Sequence, residues 1–265
     1  MLRSAGAKKV WAKKTGTKKV VAKSKHKFPM TVKAFFAEAD FHLRHGDILL
    51  SRSPTFASQI IRFISGQFFS HAAVVFLLPQ KLQHFTHTFV IESLFNGVGI
   101  ANLESYASWR NPVEEVGVLR LEGREFTKDF FRRANGTLLN ELNKPYDFTR
   151  LWHLAVASVL GRKGGGSQLP HKHRRFRRWY PRQFICSGFI QFGFHQAAVQ
   201  EDIDTQDVIL TNGLANPSMD DLMGTTPEDL ANSDKLTWKY VIRRGWVYEA
   251  TSYDEAKRII SDVRS

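Results

Sequence analysis

The chain has 265 residues, 43% of them hydrophobic and 21 of them Phe, which is enough to bury a real core and excludes a wholly disordered protein. Its single Cys excludes an intrachain disulfide, no apolar run approaches the ~20 residues of a membrane span, and no apolar secretory leader opens the chain. A cytoplasmic protein is therefore expected, with export by a signal-independent route left open.

The net charge of +13 is uneven: residues 1–27 hold ten Lys or Arg and no acid, leaving 28 basic against 25 acidic side chains over the rest. Lys8-Lys9, Lys13-Lys14 and Lys18-Lys19 recur every five residues. Neither a helix nor a strand has that period, so no core-facing stripe forms and residues 1–27 are expected to be a disordered basic tail. Such a tail is either a solubilising arm or a binder of anionic polymer or membrane surface.

The folded domain is expected over 28–265. Asp47-Ile-Leu-Leu50 after Gly46 reads as a strand leaving a turn, and 55–65 has helical apolar spacing. Ser70-His71-Ala-Ala-Val-Val-Phe76 reads as a buried strand with His71 near its start. Phe89-Val-Ile-Glu92 is another, ending in a carboxylate, and 97–100 and 116–121 are two more. Residues 124–142 and 151–160 read as helices, broken by Asn143-Lys-Pro-Tyr146. A Gly-rich loop over 161–170 and a basic-aromatic run over 171–180 form an insertion. Phe184-Ile-Cys186-Ser-Gly-Phe-Ile190 opens an apolar helix to about Val199. Residues 200–235 read as irregular, with a cap-like Thr226-Pro-Glu-Asp229 opening a short helix. A strand pair turns at Gly245, and a last helix covers 254–263. Strands first and helices later indicate an α+β domain, an antiparallel sheet packed against helices.

Cys186 at a helix start meets unpaired N–H groups and the positive end of the helix dipole, a setting that favours thiolate. Ser187 and Gly188 are small enough to let a substrate carbonyl approach the Cys186 backbone N–H, half of an oxyanion hole. The competing reading is an inert core thiol, since Phe189 and Ile190 mark a buried face. His71 and Glu92 sit in apolar strands where an imidazole and a carboxylate each need a partner. As a Cys–His–Glu set they satisfy one another, with Glu92 orienting the imidazolium. Singly, His71 reads as a satisfied core histidine and Glu92 as a rim residue. His84-x-x-His87 and His171-x-His173 lack accompanying ligands, so no metal or other cofactor is expected. The run 172–179, with Arg174 and Arg175, is a solvated loop, an anionic-substrate rim, or a membrane or nucleic-acid patch.

Phe-Ile-Cys186-Ser-Gly-Phe-Ile resembles the Cys-Ser-Gly helix start of NlpC-type papain-like hydrolases. Gly46-Asp-Ile-Leu-Leu resembles their Gly-Asp strand start, Ser70-His71-Ala-Ala-Val-Val their His-bearing strand, and Lys144-Pro-Tyr146 the Tyr segment preceding their Cys. The usual order is reversed here, with the Gly-Asp and His elements first and Tyr146 and Cys186 last. That order is similar to the circularly permuted branch, the YiiX/YaeF-like amidase family, related to lecithin retinol acyltransferase-like enzymes. The resemblance spans about residues 44–245; the tail and the 161–180 insertion have no counterpart. It implies a permuted papain-like fold and catalysis by Cys186, His71 and Glu92, the last matching that branch's Glu after the His strand. Attack of the thiolate on a carbonyl would give an acyl-enzyme, resolved by water or by another acceptor. Tyr146 would hold substrate or oxyanion, or be a packed aromatic; Ser187, Arg174 and Arg175 complete the expected substrate contacts.

Three functions follow. The first is a cysteine amidase or peptidase acting on an amide bond, with cell-wall-type peptides as substrates. The second is a lipid acyl hydrolase or acyltransferase, favoured by the aromatic flanks Phe63, Phe68, Phe69, Phe189 and Phe192. The third is a nucleic-acid or membrane-binding protein that keeps the fold without the chemistry, favoured by the basic tail and the 172–178 run but opposed by the intact Cys, His and Glu.

Overall fold

The computed structural model describes residues 28–52, 68–80, 86–106, 115–147 and 184–262. The expected helices over 55–65 and 151–160, the 161–180 insertion and the basic tail lie outside them. Eight strands form one antiparallel sheet among the described residues: β1 (Met30–Thr31), β2 (Ile48–Arg52), β3 (His71–Leu77), β4 (Phe89–Leu94), β5 (Gly97–Asn102), β6 (Glu115–Leu121), β7 (Leu236–Arg243) and β8 (Trp246–Glu249). Their spatial order is β1-β8-β7-β6-β2-β3-β4-β5. The α+β expectation is met.

The central strands read as unbroken apolar runs because both faces are covered. Ile48, Leu50, Ala72, Val74, Ile91 and Leu119 face one core with the Cys186–Gln200 helix. The alternate residues Leu49, Ala73, Val75, Val90 and Val118 face a second core with Phe35, Ala39 and Leu43 from the short helices of the N-terminal segment. Gly46 turns the chain into β2 at φ +83°, and a Cβ there would stand 2.0 Å from the Phe131 ring, so glycine is required on both counts.

The Cys186–Gln200 helix is apolar on nearly every side, with residues 186–194 all buried, as befits a helix enclosed on all sides rather than lying on a surface. The Lys128–Leu139 helix packs against it. That helix starts four residues later than the apolar spacing suggests, because the Thr127 side chain caps it by accepting the Phe130 N–H.

Residues 200–235 are better ordered than their composition implies. They hold a 3-10 turn (Thr205–Val208) and two short helices, Met219–Met223 and Pro227–Asn232, each opened by a capping box, Ser218 with Asp221 and Thr226 with Asp229. Only the second was expected, though Ser218-Met-Asp-Asp221 carries the same signature. Arg244 and Gly245, both at positive φ, make the tight β7–β8 turn. The Tyr253–Ser261 helix closes the described chain, capped by Ser252.

Candidate active site

Register brings His71 and Glu92 together. Ala73 pairs with Glu92 across β3 and β4, and alternation puts His71 on the same side as Ala73. His71 and Glu92 are therefore diagonal cross-strand neighbours, within reach of long side chains. The His71 Nε2–H donates to Glu92 Oε2 at 2.6 Å, with the two side chains 14% and 4% exposed. With Nε2 held by the carboxylate, Nδ1 is the nitrogen left for a partner.

That partner is Cys186, the first residue of its helix. The helix N-cap, Ile185, offers no side-chain acceptor, so the N–H groups of the first turn are not capped from within. The sulfur hydrogen-bonds with His71 and accepts the backbone N–H groups of Ala72 and Ser187. Burial pushes the Cys186 thiol up, but these three donors outweigh it and hold the thiol below its ordinary value. Burial likewise opposes charge on His71, and the bonds to Cys186 and Glu92 overcome it, pushing the imidazole up to about 10. His71 thus links the Cys186 sulfur to the Glu92 side chain, with the thiol drawn down and the imidazole pushed up.

The segment leading to Cys186 is pinned from two sides. Tyr146 and Phe184 form a parallel bridge. The Phe184 carbonyl accepts the Asp147 N–H at 3.0 Å, and the Phe184 N–H donates to the Pro145 carbonyl at 3.3 Å. The Ser93 hydroxyl of β4 donates to the same Phe184 carbonyl at 3.1 Å. Tyr146 is buried, with its ring edge-on to Phe95 at 5.3 Å. Burial first, then the charges of Cys186 and Asp147, push its phenol up, so it stays protonated and able to donate.

Ser187 and Gly188 serve packing rather than access. The Ser187 hydroxyl is fully buried and donates to the Thr225 carbonyl at 2.6 Å, leaving only its backbone N–H on the sulfur. A Cβ on Gly188 would stand 2.3 Å from the Met223 carbonyl oxygen, so its smallness admits a neighbouring backbone. Arg174 and Arg175 lie outside the described residues. Among the described residues, no cluster of three or more His, Cys, Asp or Glu has metal-holding geometry.

Two contributors escaped the sequence reading. Arg120, the next-to-last residue of β6, bonds both Asp47 oxygens at 2.7 Å and the His42 carbonyl at 2.9 Å, while Asp47 also accepts the Arg44 N–H at 2.8 Å. Asp47 is thus a buried anchor of β2 beside the His71 strand. The signal was the arginine itself, in the otherwise apolar run 116–121 where a charge needs a partner. Ser93, between Glu92 and the strand end, carried the same kind of signal in weaker form.

Residues 42–155 match the family described as permuted papain-like amidase enzymes, YaeF/YiiX, C92. The protein is an enzyme of the cysteine amidase/peptidase type. The matched stretch carries Asp47, His71, Glu92 and Tyr146 in the permuted order and stops before Cys186, whose place beside His71 comes from the three-dimensional fold. Among solved structures, the Escherichia coli O157:H7 metalloprotein YiiX aligns with 74% of this amidase-type chain and 96% of its own, at 16% identity and a TM-score of 0.44. No curated protein matches the sequence.

Proposed function

We propose that this enzyme hydrolyses an amide bond through an acyl-enzyme on Cys186, with His71 as acid and base and Glu92 as the group that orients it. The supporting observation is the buried Cys186–His71–Glu92 line at an uncapped helix start, with the thiol held below its ordinary value. The thiolate adds to the carbonyl carbon, and the developing oxyanion is held by the Cys186 backbone N–H, with Tyr146 as a second donor. The imidazolium gives its proton to the leaving nitrogen as the C–N bond breaks. Water, deprotonated by the now neutral imidazole, attacks the thioester, and collapse of the tetrahedral intermediate breaks the C–S bond, releasing the carboxylic acid and restoring the Cys186 thiolate beside the protonated His71. Cell-wall-type peptides are the proposed substrates.

The test is a thiol-directed acyl probe with mapping of the adduct. The expected result is one adduct per chain, on Cys186, formed by folded and not by denatured protein. A folded protein that stays unlabelled overturns the proposal.

A second reading, lipid acyl hydrolysis or transfer, is favoured by the exposed Leu94 and Phe95 that follow Glu92, Phe95 lying against Tyr146. Peptide amides and lipid esters assayed side by side separate the two.

For the tail we propose an electrostatic tether acting through Lys8, Lys9, Lys13, Lys14, Lys18 and Lys19. Ten positive charges without an acid attract a polyanion over a screening length of ~8 Å at physiological salt. Deleting residues 1–27 is expected to leave turnover of a small soluble substrate unchanged and to weaken binding to anionic vesicles or nucleic acid, most at low salt. Equal binding by both forms in a salt titration would remove the tail from that role. Among the described residues, no helix is long and apolar enough to cross a membrane.

A further inference from the structure

We infer that Ser93 is a positioning residue that sets the Cys186 thiol against its base. Consecutive residues of β4 reach the two halves of the site. Glu92 holds the imidazole at 2.6 Å, and Ser93, on the opposite side of the strand, donates its hydroxyl at 3.1 Å to the carbonyl of Phe184, two residues before the nucleophile. Ser93 has no exposed surface, and its bond spans 91 residues of sequence. One rigid strand thereby fixes the base and the start of the Cys186 helix in a common frame, and the distance between thiol and imidazole follows from it.

The hydroxyl is separable from the stability of the segment. The Phe184 carbonyl also accepts the Asp147 N–H, and the Phe184 N–H is taken by the Pro145 carbonyl. Removing the hydroxyl therefore leaves no orphaned backbone group, the usual source of a large folding penalty. What it releases is the lateral hold on the chain that enters the helix. The thiol then moves in relation to a base whose hydrogen bond keeps it ionised against the cost of burial.

This inference rests on the thiolate–imidazolium reading of the site, and its test separates the two. Thiolate absorbance and the pH profile of iodoacetamide alkylation are recorded for full-length wild type, Ser93→Ala and Ser93→Thr. A wild-type protein without a low-pH thiolate arm overturns the site reading before any variant is made. With that arm present, Ser93→Ala is expected to melt at nearly the wild-type temperature, with its thiolate midpoint about one unit higher and alkylation below both midpoints roughly tenfold slower. Ser93→Thr, which keeps the hydroxyl, is expected to restore the profile. A folded Ser93→Ala with the wild-type profile overturns the inference. If Ser93→Ala does not fold, Ser93→Thr decides: a wild-type midpoint supports the hydroxyl's role and a shifted one overturns it.

Discussion

His71→Ala is expected to lower turnover of an activated ester by about 10²–10⁴ while leaving the protein folded. The imidazole does two things at Cys186. Its hydrogen bond and charge draw the buried thiol down, and its proton goes to the leaving group. Without it the largest remaining influence on the thiol is burial, which acts upward. The signs set the pH window. His71, pushed up to about 10, stays protonated through neutrality and loses its proton as pH rises through that value. Cys186, held low, is already ionised where an ordinary thiol, near ~8.5, is not. The reactive pair thus spans the interval from the lowered thiol value to about 10. Alkylation of wild type should show a low-pH arm that His71→Ala lacks, and Glu92→Gln should fall between them by weakening the brace on the ring. Cys186→Ala should abolish the adduct altogether. Equal alkylation of wild type and His71→Ala near pH 6 would show an inert core thiol.

Arg120→Ala should destabilise the domain by roughly 3–5 kcal/mol, the cost of stranding a buried charge. Asp47 is 1% exposed and faces Arg120 through two bonds of 2.7 Å. Burial pushes the Asp47 carboxyl up, and Arg120, with Arg44 behind it, is the main group that partly counters that push. Deleting the guanidinium leaves the carboxylate with the Arg44 N–H and strips a donor from the His42 carbonyl. For a chain of this size the melting temperature should drop by on the order of 10 °C. Removing both partners, Asp47→Ala with Arg120→Ala, should cost clearly less than the sum of the single changes, because neither variant group is left charged and buried. Additive losses in a double-mutant cycle would show that the pair contributes through packing alone.

What was legible in the sequence was local. Unbroken apolar runs announced β2, β3, β4 and β6, and a Pro-bounded apolar segment announced the helix that starts at Cys186, because side-chain periodicity and caps are set by neighbours in the chain. The order of the Gly-Asp, His, Tyr and Cys segments carried the permuted papain-like fold. The tertiary structure decided how these pieces face one another. Only the β3–β4 register makes His71 and Glu92 diagonal neighbours, and only the crossing of the Cys186 helix over the sheet puts its first residue on the Ala72 N–H. Gly188 is small for the Met223 backbone, Ser187 is spent on Thr225, and Asp47 answers Arg120 on another strand. Each of these depends on register and layer geometry, which many weak contacts between distant segments settle together and no short stretch of sequence specifies.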